Sequence, residues 1–214
     1  MKIGILADIH GNKTALEAVI HDCHKRGLKK YILLGDLFAK GSDPEGVFDL
    51  LKQLDVIASI RGNTDEWFLM EQLTKRQKEF ITYALKNMSQ QSVAYIKQMQ
   101  PCYRENLFGY DSLYTHHYKE TEITDKLDII FTAHTHRSVF KIERNINIFN
   151  PGSIGNPYDH NNCASYGIIE LKEKLDFQII RIPYDIQKEK RIAIEKQIPF
   201  LEKYIYAVEY GCKL

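Results

Sequence analysis

The stretch MKIGILADIHGN, residues 1–12, decides the fold. Lys2–Ala7 is a short apolar run, which predicts a strand, and Asp8 and His10 end it. Directly after it, Lys13–Lys25 carries Leu16, Val19 and Ile20 at helical spacing. The alternation then repeats. Lys30–Leu34 predicts a strand that ends in Gly35. Pro44–Leu54 predicts a helix with Val47, Leu50 and Leu51 apolar. Val56–Ile60 predicts a third strand that runs into Arg61-Gly62. Strand, helix, strand, helix, strand implies a parallel sheet with right-handed crossovers.

Further along, Asp65–Met99 predicts mostly helix, with a break near Asn87–Ser89 where Ser89 caps a second helix. After Pro101 the pattern changes. Tyr103–Phe108 and Ser112–Thr115 predict a hairpin around Gly109-Tyr110-Asp111. Asp128–Thr132 has the look of a buried strand. Val139–Glu143 and Ile146–Phe149 flank Arg144-Asn145 as a second hairpin, and Ser165–Leu171 with Leu175–Ile182 make a third. Asp185–Ile194 and Pro199–Tyr210 predict closing helices. The expected fold class is α/β, layered as α+β: two packed mixed β-sheets flanked by helices, in one domain over residues 1–214.

Composition narrows the function. The 214 residues are 44% hydrophobic and 27% charged, ordinary globular proportions that exclude wholesale disorder. Lys+Arg is 29 and Asp+Glu is 28, for a formal charge of +1. That balance gives no support to a broad nucleic-acid or membrane-surface footprint, although it leaves a local basic pocket and a nucleic-acid substrate open. No apolar run reaches the length of a membrane span, and Met1–His10 lacks the apolar core of a signal peptide. Cys23, Cys102, Cys163 and Cys212 are scattered with no C-x-x-C pair, which argues against a disulfide framework or a thiolate zinc site. The expectation is a soluble cytoplasmic protein. A homo-oligomer is compatible with the sequence but carries no direct signal.

The polar residues with chemical potential sit at strand ends. Asp8 and His10 follow the first strand, Asp36 the second and Asn63 the third. His116 follows the strand that ends at Thr115, and His134 and His136 follow Asp128–Thr132. Ligands bind at the carboxyl ends of strands in open α/β sheets. Two carboxylates, four imidazoles and one amide oxygen suit Mn, Fe, Zn or Mg and disfavour copper(I) or an iron–sulfur cluster. Seven donors are too many for one tetrahedral ion. They are about right for two ions that share a carboxylate, a clamp roughly 3.5–4 Å wide for in-line attack on phosphorus. A mononuclear hydrolase would need fewer donors. Each element alone reads as a turn or helix cap; the ordered set of them does not.

The order D-x-H (Asp8, His10), G-D (Gly35, Asp36), G-N (Gly62, Asn63), H (His116) and H-T-H (His134, His136) resembles the calcineurin-like metallophosphoesterase superfamily. The resemblance spans Lys2 to about Ile182 and is strongest to the compact bacterial phosphodiesterase-like members. Asn150-Pro151-Gly152-Ser153-Ile154-Gly155-Asn156-Pro157 is similar to the loop those members carry after their last metal ligands. The resemblance implies a metallophosphoesterase-like β-sandwich and a metal-dependent phosphoesterase, with phosphodiesters favoured over monoesters and nucleotide polyphosphates. It implies that Asp8, His10 and His136 hold one ion, that Asp36 bridges, and that Asn63, His116 and His134 hold the other. A hydroxide between the ions would attack phosphorus, with Asp36, Asn63 and His10 as the catalytic set. The two divalent ions would be Mn by preference, with Fe, Zn, Mg or Ni as alternatives. A binding scaffold on the same fold is the competing class.

Three positions depart from that pattern. Thr64 stands where the family often has a general-acid His after the Asn, so Asp65, His117 and His160 become candidates for leaving-group protonation. Ala133 replaces the Gly before His134. His116-His117 replaces His-Gly, which leaves His117 as the alternative to His116. Asn12, Arg61 and Arg137 flank the motifs and are candidates for holding a small phosphoester or nucleotide substrate. Tyr158, Asp159 and His160 follow the Pro-Gly-Ser loop and are candidates for the substrate mouth. Tyr204, Tyr206 and Tyr210 have partly helical spacing, which suits an interface or a core face.

Overall fold

Two five-stranded mixed sheets lie face to face. The structure is a computed structural model that describes residues 1–118 and 126–214. The first sheet takes β1 (Lys2–Leu6), β2 (Lys30–Leu33), β3 (Asp55–Ser59), β9 (Ala164–Leu171) and β10 (Leu175–Ile182), in the order β10-β9-β1-β2-β3. The second takes β4 (Cys102–Leu107), β5 (Tyr110–Thr115), β6 (Ile129–Phe131), β7 (Ser138–Glu143) and β8 (Ile146–Pro151), in the order β4-β5-β6-β8-β7. β1, β2 and β3 run parallel, as do β5, β6 and β8.

Period-two alternation builds the core between the sheets. Ile3 and Ile5 of β1 and Ile32 of β2 face Ile129 and Phe131 of β6 and Phe149 of β8. The intervening residues point the other way. Leu6, Tyr31 and Leu33 pack under α1 (Lys13–Lys25), α2 (Pro44–Leu51) and α5 (Gln90–Gln98), against Leu16, Val19, Val47 and Ile96. Ile130, Ile146 and Ile148 form a smaller cluster on the outer face of the second sheet.

Helix ends follow side-chain caps. Asn12 accepts from Ala15 N to start α1, Asp43 accepts from Gly46 N to start α2, and Ser89 accepts from Ser92 N to start α5, as its sequence position implied. The segment expected to be helical from Asp65 with one break has two. α3 (Asn63–Glu66) is a single turn, and α4 (Lys75–Lys86) begins only where Thr74 and Gln77 form a capping box. The first hairpin turns on Phe108-Gly109, one residue earlier than its composition suggested. These residues have φ of 56° and 92°, the left-handed pair of a two-residue turn, so Tyr110 and Asp111 are already in register with Leu107 and Asn106. Arg144-Asn145 turns the second hairpin as expected, with φ of 50° and 64°.

α6 (Ile186–Glu195) and α7 (Leu201–Tyr210) close the chain around Ala193, Ile198, Tyr204 and Val208. Buried Glu189 joins them to the sheet layer. Its carboxylate accepts from Thr14 Oγ1, Ser42 Oγ and Tyr204 OH, each at 2.7 Å.

Candidate metal centre

Parallel pairing sets the site. Because β1, β2 and β3 run the same way, Asp8, Asp36 and Asn63 leave the sheet at one edge. The parallel strands β5 and β6 deliver His116, His134 and His136 to the same rim from the second sheet. Asp8, His10, Asp36 and His136 are buried, and one ligating atom from each lies within 4.8 Å of the others.

The backbone is bent to do this. Asp8, His10, Asp36, His134 and His136 have φ between 50° and 69°. Non-glycine residues there are strained by of order 1–2 kcal/mol each, a cost that clusters at functional sites. Glycines make the bends fit. A Cβ on Gly35, which itself has φ +85°, would lie 2.3 Å from Gly62 N, and one on Gly62 would lie 2.2 Å from Asp36 Oδ1. The G-D and G-N loops therefore touch backbone to backbone.

Asp65 locks that contact. Its fully buried carboxylate accepts from Asp36 N (2.7 Å), Leu37 N (3.1 Å) and Gly62 N (2.9 Å). Burial and the neighbouring Asp36 carboxylate push its pKa up to about 7. Asp65 is thus a clamp between the loops, where the sequence offered it as a general acid. At Thr64 the backbone does the work, with its N donating to Asp36 Oδ1 at 2.8 Å. The loop after β8 fixes Asp8 in the same way: Ser153 Oγ and Gly155 N both donate to Asp8 O.

Three imidazoles spend Nδ1–H on backbone carbonyls. His10 donates to Ala39 O (3.1 Å), His116 to Leu34 O (2.7 Å) and His136 to Asn156 O. That fixes the tautomer of a neutral ring and, at His10 and His136, leaves Nε2 as a lone pair. His10 Nε2 and His136 Nε2 then face each other at 3.0 Å. His136 Nε2 lies 3.3 Å from Asp8 Oδ1, and His10 Nε2 lies 3.5 Å from Asp36 Oδ2. His10 Nε2, His136 Nε2 and Asp8 Oδ1 converge as acceptors, with Lys40 Nζ 3.5 Å from His10 Nε2 at their edge, a crowding that a cation in their midst relieves. Burial, helped by Lys40, holds His10 well below the usual imidazole pKa, so the ring does not supply that charge itself. Asp8 Oδ1 and His116 Nε2 are buried with no hydrogen-bond partner. The donor set of oxygen and imidazole nitrogen fits a divalent cation.

Alongside this cluster, His116 Nε2 stands 3.6 Å from Asp36 Oδ2. Burial works to lower its pKa, but the Asp36 carboxylate prevails and raises it to about 10. For Asp36 burial opposes charge, and His116 and His10 hold its carboxyl well below the usual range. His134 Nδ1 and Asn63 Oδ1 converge to 2.8 Å, and His134 N donates to Asp8 Oδ2 at 3.1 Å. All seven expected donors are therefore brought to one rim. His116 is buried in it, whereas His117 is exposed and meets only the edge of the His134 ring.

The expected substrate residues fare differently. Asn12 is buried, its Oδ1 capping α1 and its Nδ2 donating to Gly155 O and Tyr184 OH. Arg61 pairs with Glu66 at 2.8 Å, and Arg137 donates to Tyr158 O. None of the three lines the cleft above the cluster. Asp159 is paired with Arg181, and His160 is exposed. Tyr158 does reach the site, stacked on His136 with ring centroids 4.3 Å apart. Tyr204 is buried core and also borders the cleft.

The cleft itself measures about 320 Å³ and is lined by residues sequence reasoning missed: Lys40, Arg76, Phe80, Phe200, Lys203 and Lys213. Lys40, four residues past Asp36, had a local signal in the G-D motif. The others lie far from every motif, and only folding brings them in.

A family model described as calcineurin-like phosphoesterase superfamily domain matches residues 1–174. An uncharacterized protein of Methanocaldococcus jannaschii, MJ0912, is 28% identical over 92% of this chain and 93% of its own length. Phosphodiesterase YfcE of Escherichia coli K12 is 27% identical over 79% of this chain and 88% of its own. A metallophosphoesterase from Sphaerobacter thermophilus, solved as a crystal structure, superposes with a TM-score of 0.79 at 20% identity, covering 99% of each chain.

Proposed function

Since the chain belongs to the calcineurin-like phosphoesterase superfamily, we propose that it is a metal-dependent phosphodiesterase with two divalent ions. The observation that carries this reading is the buried acceptor cluster. His10 Nε2 and His136 Nε2 at 3.0 Å, Asp8 Oδ1 without a partner and Asp36 beside them call for a cation.

Asp8, His10 and His136 would hold one ion. Asn63, His116 and His134 would hold the other, with Asp36 between. Mn heads the candidates, and Fe, Zn, Mg and Ni share the same donor preference. Divalent ions held there supply Lewis-acid charge to phosphoryl oxygens and acidify water. The chain's own part is to fix the donors. The strained strand-end residues set their positions, the backbone carbonyls of Leu34, Ala39 and Asn156 orient the rings, and Asp65 ties the two loops together. Lys40, with Nζ 3.5 Å from His10 Nε2, adds positive charge where phosphoryl oxygens would sit.

Two points favour diesters. Thr64 offers a hydroxyl, not an imidazole, at the position of the family's acid, and its Oγ1 is buried with no partner. A relative over most of the chain is a phosphodiesterase. The test is hydrolysis of bis(p-nitrophenyl) phosphate and p-nitrophenyl phosphate by metal-stripped protein with Mn, Mg, Zn or Fe(II) restored. Metal-dependent turnover with the diester preferred is the expected result. Asp36→Asn should lower it by at least about a hundredfold while the circular dichroism spectrum stays unchanged. Wild-type turnover in that variant would remove the metal role of Asp36.

A further inference from the structure

The cleft over the metal centre carries more positive charge than one phosphoryl group uses. Lys40, Arg76, Lys203 and Lys213 all line it. Three of these cations rest on aromatic faces. Lys40 Nζ is 6.0 Å from the Trp67 ring, the Arg76 guanidinium is 5.8 Å from Phe80 and 5.3 Å from Phe200, and Lys213 Nζ is 4.7 Å from Tyr158. Several basic side chains near these elements hold carboxylates instead: Lys190 with Glu209, Lys196 with Asp43, Arg181 with Asp159. Among the described residues, none of the four cleft cations has a carboxylate within salt-bridge distance.

The difference matters chemically. A carboxylate neutralises a cation and takes its N–H donors, whereas a ring face holds the cation by its quadrupole and leaves those donors free. Asp36 and Asp8 lie on the Lys40 side, but Arg76, Lys203 and Lys213 are gathered without a paired carboxylate, and an incoming anion relieves their mutual repulsion. The seat is also built at a cost. Phe200, whose ring holds Arg76, has φ +57°, a conformation that bulky side chains seldom adopt. Lys40 stands at the metal end of the cleft. Arg76 comes from the first turn of α4, Lys203 from α7 and Lys213 from the segment after it, so these three reach the cleft from elements other than the strand-end loops, with Lys213 meeting those loops at Tyr158.

We infer that Arg76, Lys203 and Lys213 form a second anion subsite, and that the substrate is a small phosphoester carrying another phosphoryl group besides the one attacked. This rests on the phosphoesterase reading and specifies its substrate class. A cleft of about 320 Å³ admits a small molecule of this kind.

Two chromogenic diesters that differ in one phosphate test it: thymidine 5′-(p-nitrophenyl phosphate) and its 3′-phosphorylated counterpart. With metal-loaded full chain, kcat/KM should favour the 3′-phosphorylated ester by about tenfold or more, and the preference should shrink as salt is raised. It should fall to near unity in Arg76→Ala and in the pair Lys203→Ala/Lys213→Ala. Equal use of the two esters by the wild type, or a preference that survives in both variants, overturns the subsite and leaves the phosphoesterase reading intact. Turnover of neither ester with any metal overturns the phosphoesterase reading instead. The subsite is then decided by calorimetry with inorganic pyrophosphate and the metal-free full chain. Binding weakened about tenfold in the lysine pair supports it, and equal binding or none refutes it.

Discussion

At the residue scale, neighbours in sequence have opposite fates. His116 turns into the rim beside Asp36 while His117 stays exposed, because successive side chains past a strand end point to opposite sides. His116→Ala should therefore lose bound metal and at least a hundredfold in activity, and His117→Ala should keep both within a few-fold. Metal analysis after dialysis separates them, and equal loss in both variants would reject the assignment. Asp65 makes the complementary point. Replaced by Ala, it leaves three buried backbone N–H groups, those of Asp36, Leu37 and Gly62, without their acceptor. At about 1–3 kcal/mol for an unpaired buried group, Asp65→Ala should cost roughly 3 kcal/mol or more in denaturant unfolding. A change under 1 kcal/mol would mean that the clamp is not structural. The D-x-H and H-T-H motifs exposed the donors in the sequence. The role of Asp65 was hidden, since an acidic residue beside a metal motif looks the same whether it faces the substrate or the backbone.

At the element scale, strands and caps were legible and the joins between helices were not. Three parallel strands that each end in a polar residue bring Asp8, Asp36 and Asn63 to one edge, a placement that strand order alone implies. The segment from Asp65 to Met99 misled at one of its two breaks: Ser89 marks the second, but before it only the Thr74–Gln77 capping box marks where α4 begins. The attachment of α6 and α7 was equally silent. Glu189 looks like a solvated helix residue, yet it is buried and accepts three hydroxyls, from α1, from the loop before α2 and from α7. Glu189→Leu should leave Thr14, Ser42 and Tyr204 unpaired and lower stability by about 3 kcal/mol or more. It should also weaken the wall of the cleft that α7 provides. Urea unfolding checks the first effect, and a midpoint within error of wild type would show that the network does not anchor the helices.

At the scale of the whole molecule, the site belongs to neither sheet alone. Asp8, Asp36 and Asn63 come from one and His116, His134 and His136 from the other, so a metal bound there would also fasten the layers together. Ions that bind the folded chain and not the unfolded one stabilise by mass action, about 2.7 kcal/mol per site at a hundredfold excess over Kd. Chelation should lower the thermal midpoint by several degrees, and restored Mn should bring it back; an unchanged midpoint would argue against a metal centre. The sequence by itself determined the two-sheet α/β architecture and the seven donors at strand ends, because hydrophobic periodicity and turn chemistry are local and act within a few residues. Tertiary structure alone decided which His of the 116–117 pair turns inward, that Asn12, Arg61 and Arg137 are taken up by their own neighbours, and that Arg76, Lys203 and Lys213 line the cleft over the Asp–His cluster. Those outcomes depend on contacts between segments far apart in the chain, where distance in space has no counterpart in residue spacing.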